Sequence, residues 1–306
     1  MKIYRNINDV SHSSRAIAIG SFDGVHLGHQ EVIKSLVSLS AKNKLTSTVL
    51  SFEPLPKEFF LKNPPPRLSN FREKYLLLSE LGVKEFICLR FNSCISIDHK
   101  TFFKEVLIEK LNLKYLSVGL DFKFGKDRLG DIKFLTSKSN EYNFEVAEST
   151  TTKYQKKKIS STEIRTFLQQ NDLMQASNCL GRSYFMSGRV IKGNGVGRKL
   201  GYPTANIAIK RKQCALEGIY VVRVIISGLT YNGIASIGTR PTFGEFPVEL
   251  EVYLLDFNET LYGKVLRVEF VRFLREQIAF DSADDLINQM NKDEKVTRDY
   301  LRQSGL

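Results

Sequence analysis

Ala16-Ile17-Ala18-Ile19-Gly20-Ser21-Phe22-Asp23-Gly24-Val25-His26-Leu27-Gly28-His29 is the stretch on which the fold class turns. The apolar run 16–19 reads as a short buried strand, and 20–24 carries turn chemistry. Beyond the turn, Val32, Ile33, Leu36 and Val37 fall on one stripe of a helix. The pattern repeats. Residues 47–52 read as a strand that stops at Glu53-Pro54, and helix–strand pairs follow at 71–81 with 85–89 and at 100–111 with 115–118. Residues 144–147 add a last strand, and 161–170 begin another helix. Alternating strands and helices predict an α/β fold with a doubly wound parallel sheet, its ligand site at the carboxyl ends of the strands.

The second half is built differently. From Tyr184 onward, short β segments at 186–191, 218–226, 233–237, 250–255 and 265–273 are punctuated by Gly and Pro, as in a small antiparallel barrel. A helix over 282–301 is expected to cover an open end of that barrel. The boundary falls near Gly181, which divides the 306 residues into domains 1–180 and 181–306. Either is large enough to bury its own core, and the second is expected to fold alone.

Composition narrows the function classes. The residues at 1–10 alternate polar and apolar with no signal-peptide core, and no apolar run is long enough to span a bilayer. A cytoplasmic protein without a membrane role is expected. Four scattered cysteines (Cys88, Cys94, Cys179, Cys214) form no CxxC pair, so buried free thiols are expected rather than zinc or disulfides. The net charge of +12 first suggests nucleic acid. Most of the excess is lysine spread singly, and the dense run is confined to Lys153, Lys156, Lys157 and Lys158. A small polyanion such as ATP, or simply a lysine-rich background, explains that distribution at least as well as nucleic acid does.

Two stretches carry chemistry. His26 and His29 are three apart, so one helical turn sets them on one face, beside the free amides of the helix start. Gly28 leaves the backbone between them open to a ligand. Two imidazoles, a helix dipole and bare backbone make a phosphate clamp. Further on, Ser160, Ser161 and Thr162 offer hydroxyls and amides at a helix start, and Arg165 adds a fork-shaped donor.

The second stretch is Lys192-Gly193-Asn194-Gly195-Val196-Gly197-Arg198-Lys199-Leu200-Gly201-Tyr202-Pro203-Thr204-Ala205-Asn206. Its glycines can expose several amides to phosphate. It lacks the Gly-Lys-Ser/Thr of a Walker loop, and Arg198 stands where GxGxxG needs its third glycine. Thr204 and Asn206 supply hard oxygens suited to magnesium. In the segment 249–257, alternation sets Glu249, Glu251, Tyr253 and Leu255 on one face. Either glutamate could take a proton there.

These stretches resemble a known family. Residues 20–30 resemble the HxGH signature of nucleotidylyltransferases in its flavin-specific form, and Phe52-Glu53-Pro54 resembles that branch's strand-end element. Val118 to Gly125 resembles its flavin-side VGxDFxFG loop, and Ile159 to Arg165 its ISSTxIR element. The glycine loop with PTAN at 203–206, the strand 251–257, Gly238-Thr239-Arg240-Pro241-Thr242-Phe243, Leu261-Tyr262-Gly263 and Leu274-Arg275-Glu276 resemble riboflavin kinase. From residue 15 to about 300, the chain is similar to the bacterial bifunctional riboflavin kinase/FMN adenylyltransferase (FAD synthetase) family.

The resemblance implies a Rossmann-like nucleotidylyltransferase domain followed by a riboflavin-kinase barrel. It implies ATP, riboflavin and FMN as substrates, and Mg2+. His26 and His29 would stabilise phosphates, with Gly20, Phe22, Gly28, Ser160, Ser161, Thr162 and Arg165 around the nucleotide. Asp23, Asp121 and Phe122 would be orienting or flavin-side residues. In the kinase, Gly193, Gly195 and Gly197 would face phosphate, Thr204 and Asn206 would hold Mg2+, and Arg275 would lie near flavin. The motif register favours Glu251 over Glu249 as the base. Tyr253 stands where the family usually has histidine. Two other readings are a nucleotidylyltransferase with a merely ligand-binding barrel, and a non-enzymatic binding protein. An oligomer is compatible with all three.

Overall fold

Six parallel strands form the sheet expected from the first half. They are β1 Lys2–Tyr4, β2 Arg15–Ile19, β3 Thr46–Glu53, β4 Glu85–Arg90, β5 Leu113–Val118 and, beyond a small hairpin of β6 Lys123–Phe124 and β7 Gly130–Asp131, β8 Glu145–Glu148. Their order is β1-β4-β3-β2-β5-β8. A two-stranded ribbon, β9 Lys153–Tyr154 with β10 Lys157–Lys158, follows. The computed structural model describes residues 1–305 except 95, 120, 149–152, 155, 156, 194, 196, 198, 199, 210, 212 and 239–247. Among the described residues, no helix is long and apolar enough to cross a membrane. The chain divides into two units, Met1–Pro65 with Lys74–Ser160, and Pro66–Glu73 with Ser161–Leu306.

In the first unit, α1 Leu27–Lys42 links β2 to β3 and seats Ile33 and Leu36 in the core, while Val32 and Val37 are half-buried. After α2 Pro56–Phe60, α3 Phe71–Glu80 leads into β4, and α4 Phe91–Cys94 follows it. α5 His99–Thr101 continues as a π-helical segment, Phe102–Lys110, into β5. α6 Ile132–Tyr142 precedes β8. β2 is buried along its whole length, as a central parallel strand covered on both faces must be. Its Arg15 would be a costly buried charge. Glu85 accepts from its Nε at 2.8 Å, and the carbonyls of Ser11, Ser13 and Leu111 accept from the rest of the fork.

The second unit opens with α7 Ser161–Gln169 and α8 Leu173–Leu180. Its barrel strands are β11 Phe185–Ile191, β12 Thr204–Ala208, β13 Gly218–Ile226, β14 Leu229–Gly238, β15 Glu249–Leu254 and β16 Val265–Arg275. They close in the order β11-β12-β15-β14-β13-β16, and β16 returns to β11. Tyr220, Val222 and Val224 are fully buried inside, with Leu250 and Val252 across the barrel. The terminal helix α9, Ala283–Ser304, corrects an expectation: it does not plug an open end. Tyr300 and Leu301 pack on the outer wall against Val221, Tyr253, Leu255, Val271 and Leu274.

Residues 66–73 complete this unit from far away in sequence. Glu73 and Arg211 are buried, with side chains 1% exposed each, and pair at 2.5 Å. Glu73 also accepts from the amides of Asn70 and Ser187, both at 2.7 Å. The Arg211 fork donates to the carbonyls of Arg67 and Leu68 and to the Tyr184 hydroxyl. Burial works against the Arg211 charge, but Glu73 and Tyr184 more than offset it and raise its pKa. The neighbouring Cys214 thiol is pushed up to about 11 by burial, so it stays protonated.

Candidate functional site

In the first unit, the site forms where β2 turns into α1. Phe22 and Val25 are held at φ 46° and 41°, a region that side-chain-bearing residues seldom occupy, and the turn is correspondingly tight. His26 caps α1, its Nδ1 accepting from the amide of His29 at 3.3 Å. The two rings stack with centroids 3.6 Å apart, and Phe22 meets His29 edge-on at 5.2 Å. Lys74, buried below the turn, donates to the carbonyl of Ser21 at 2.6 Å.

Burial, then His26 and Lys74, hold the His29 imidazole well below its usual pKa. His29 is therefore neutral at pH 7, and its contribution to an anion is a hydrogen bond rather than a charge. Its Nδ1 is buried with no hydrogen-bond partner among the described residues. A buried polar atom of this kind is one a ligand can satisfy. Gly20, Phe22, Asp23 and His26 in the loop, and Gly28 and His29 in the first turn of α1, are thus gathered together, with Asp23 buried. Ser161, Thr162 and Arg165 belong to the second unit, where Arg165 Nε donates to the carbonyl of Pro66 at 2.6 Å.

Past the end of β5, Asp121 is exposed and lies 3.8 Å from Lys158 Nζ. Phe122 stacks on Phe124 at 5.5 Å. On the other side of the turn, a cavity of about 410 Å³ opens at the carboxyl ends of β1, β3 and β4. Arg5, Glu53, Pro54, Phe59, Arg90 and Asn92 line it. Phe52, Phe59 and Phe60 meet Phe91 edge-on at 5.5 to 5.7 Å behind it. Sequence reading passed over Arg5, Arg90 and Asn92. For Arg5 and Arg90 the available signal was a polar residue at the last or next position of a strand that ends at the ligand edge.

In the second unit, the site lies on the outer face of the barrel. β12 and β15 pair Thr204 with Tyr253 and Asn206 with Glu251. Thr204 Oγ1 is 3.5 Å from a carboxylate oxygen of Glu251. Glu249 pairs instead with Gly238, away from Thr204 and Asn206. β12 was missed from sequence because Pro203 and the glycines before it read as loop. A small cavity of about 30 Å³ joins Thr204, Asn206 and Pro203 to Gly193 and Gly195. A Cβ on Gly197 would collide with the carbonyl of Tyr202, so that position needs glycine, and one on Gly193 would push aside the side-chain amide of Asn206. Asn194, Val196, Arg198, Lys199 and the 239–243 part of the Gly238 motif lie outside the described residues.

The terminal helix reaches this face. Tyr202 donates its hydroxyl to Asn291, and its ring meets Tyr253 edge-on at 5.1 Å. Burial, with Glu294 and Tyr202 nearby, pushes the Tyr253 phenol up. Arg275 is clamped by Asp293, at 3.0 Å from Nε and 2.7 Å from its terminal nitrogen, and Gln289 steadies that carboxylate at 2.9 Å. Thr204 and Asn206 supply a hydroxyl and an amide oxygen that suit a hard divalent cation, with the Glu251 carboxylate beside them.

Comparison with known proteins agrees with both halves. Residues 8–163 match the FAD synthetase family, and residues 180–301 match the riboflavin kinase family. The chain is 38% identical to the bifunctional riboflavin kinase/FMN adenylyltransferase of Buchnera aphidicola (subsp. Schizaphis graminum), covering 98% of this chain and 99% of that one. The protein of the same description from Haemophilus influenzae is also 38% identical, with the same coverage. A solved structure described as a macrolide-efflux protein from Streptococcus pneumoniae is 32% identical, with a TM-score of 0.80 over 97% of this chain and 98% of that one.

Proposed function

This chain belongs to the bifunctional riboflavin kinase/FMN adenylyltransferase family, and we propose that separate sets of residues in its two halves carry the two reactions. It phosphorylates riboflavin to FMN and adenylylates FMN to FAD, with ATP as the donor in both steps. Residues 1–180 are assigned the adenylyl transfer and residues 181–306 the kinase. Its partners are then small molecules, with no nucleic acid or membrane, and its place is the cytoplasm.

In adenylyl transfer, the FMN phosphate attacks the α-phosphorus of ATP and pyrophosphate leaves. Such a step depends on positioning and on donors aimed at developing charge. His26 and His29 are the donors we assign, with Gly20, Phe22 and Gly28 shaping the turn. Ser160, Ser161, Thr162 and Arg165 are assigned to the nucleotide phosphates. Asp23, Asp121 and Phe122 are assigned to the flavin side, and the cavity at Arg5 and Arg90 offers cations and an aromatic wall to the same substrate.

In the kinase, Glu251 takes the proton of the riboflavin hydroxyl as its oxygen attacks the γ-phosphorus of ATP and ADP leaves. Gly193, Gly195 and Gly197 would face the phosphates, and Thr204 and Asn206 would hold the Mg2+ that ATP brings. That ion supplies charge neutralisation on the phosphates. Arg275 is assigned near flavin. The cross-strand pairing of Glu251 with Asn206, beside Thr204, carries this reading.

The test is to incubate the protein with riboflavin, ATP and Mg2+ and to follow FMN and FAD by chromatography. Glu251→Gln should lose about 10²–10⁴-fold in FMN formation, as expected for a missing general base. Supplied FMN should still become FAD. Normal kinase activity in Glu251→Gln, with loss in Glu249→Gln, would transfer the role to Glu249.

A further inference from the structure

One row of the barrel's outer face runs through the proposed base. Asn206 of β12 pairs with Glu251 of β15, Glu251 with Ser236 of β14, Ser236 with Ile219 of β13, and Ile219 with Arg275 of β16. At roughly 4.8 Å per strand, the path from Glu251 to Arg275 is about 14 Å. Asn206 and Thr204 bound the row on one side and Arg275, clamped by Asp293, on the other. In the reading given above, ATP phosphates lie on the Thr204 side. A flavin whose terminal hydroxyl reaches Glu251 then has Ser236 as its next neighbour along the row, before the buried Ile219.

A carboxamide is set beside that path. Gln277 Nε2 donates to Ser236 Oγ at 3.1 Å. A Cβ at residue 238 would stand 2.6 Å from Gln277 Oε1, so the glycine there is what lets the amide settle. One N–H is spent on Ser236; when it is the N–H trans to the carbonyl, the second N–H and the carbonyl stand side by side for a ligand. The imide edge of an isoalloxazine ring offers the complement, an N–H next to a carbonyl. We propose that Gln277 determines flavin specificity in the kinase by reading this imide edge, with Gly238 and Ser236 holding its amide in place.

The inference rests on Glu251 as the base, and its test separates the two. With the full chain, KM and kcat are measured for riboflavin and for N3-methylriboflavin, which lacks the imide N–H. The native protein should show a higher KM for the methylated flavin. Gln277→Ala should raise the riboflavin KM about two- to tenfold, the worth of one or two neutral hydrogen bonds, and should erase the difference between the flavins. The KM for ATP should not follow. Gly238→Ala should reproduce the effect by displacing the amide, because residue 238 does not sit at positive φ and only the far end of a flexible side chain must move. Should Gly238→Ala fail to melt cooperatively, Gln277→Ala alone decides. A Gln277→Ala protein that still discriminates against the methylated flavin overturns the inference. Loss of kinase activity in Glu251→Gln alongside that result would leave the base assignment standing.

Discussion

Replacing Glu73 with glutamine tests whether the second unit depends on a segment from early in the chain. One carboxylate oxygen of Glu73 accepts from the Asn70 amide and Arg211, and the other from the amide and hydroxyl of Ser187. Both oxygens therefore face a backbone N–H. A glutamine can be turned either way, and in each orientation its NH₂ is directed at a donor. Arg211, 1% exposed at its side chain, is left without its counter-charge. Breaking a buried pair from one side costs about 3–5 kcal/mol. A domain's total stability is of order 5–15 kcal/mol, so the loss is a large share of the whole. Urea unfolding followed by circular dichroism, with residual FMN formation as the probe of the second unit, should show that unit failing first. Glu73→Gln combined with Arg211→Met should recover most of the loss, since an apolar replacement removes the stranded charge. A fragment of residues 181–306 also lacks Glu73 and should unfold at lower urea than the second unit of the whole chain. A Glu73→Gln protein within about 1 kcal/mol of the parent would refute the reasoning, because solvent or another group would then be compensating Arg211.

His29→Ala should lower FAD formation by about 10²–10³-fold while riboflavin phosphorylation continues, as read by chromatography of both products. Comparable loss of both activities would point to misfolding. The same residue sets a pH dependence of stability. His29 is neutral when folded, and its unfolded counterpart protonates below about pH 6.5. Its contribution is complete above that pH and falls as the medium is acidified, by at most about 1.4 kcal/mol per pH unit. Urea midpoints at pH 7.5 and 5.5 should draw closer together in His29→Gln; an unchanged gap would mean that His29 is solvated.

The parallel sheet was legible because β2 to β5 alternate with helices at regular spacing, and the His26 turn was legible because histidine is rare in this chain and two fall in one window. β1 escaped notice because three residues at an edge leave too little pattern to read. β12 escaped because a proline and glycines precede it, although that strand sets Thr204 and Asn206 against Glu251. The pairing of Glu73 with Arg211 was beyond reach for another reason: a contact across 138 residues has no local signature. The placement of α9 was misjudged because an amphipathic helix announces an apolar face but not the surface that will accept it. Val221, an outward-facing residue in a strand buried almost throughout, was the clue to that surface.

The route of residues 66–73 also orders events on the ribosome. Arg211 follows Glu73 by 138 positions. At bacterial and eukaryotic elongation speeds of 5–20 residues per second, that gap lasts roughly 7–28 s. For that interval Glu73 lacks its buried partner, while Lys74 and the residues after it can already join the nascent parallel sheet. The buried pair of the second unit cannot form until this segment of nascent chain has been held in waiting, and a translational pause between those positions would lengthen the wait without altering the native structure. Synthesis of the two halves as separate polypeptides would leave this short segment on the wrong molecule.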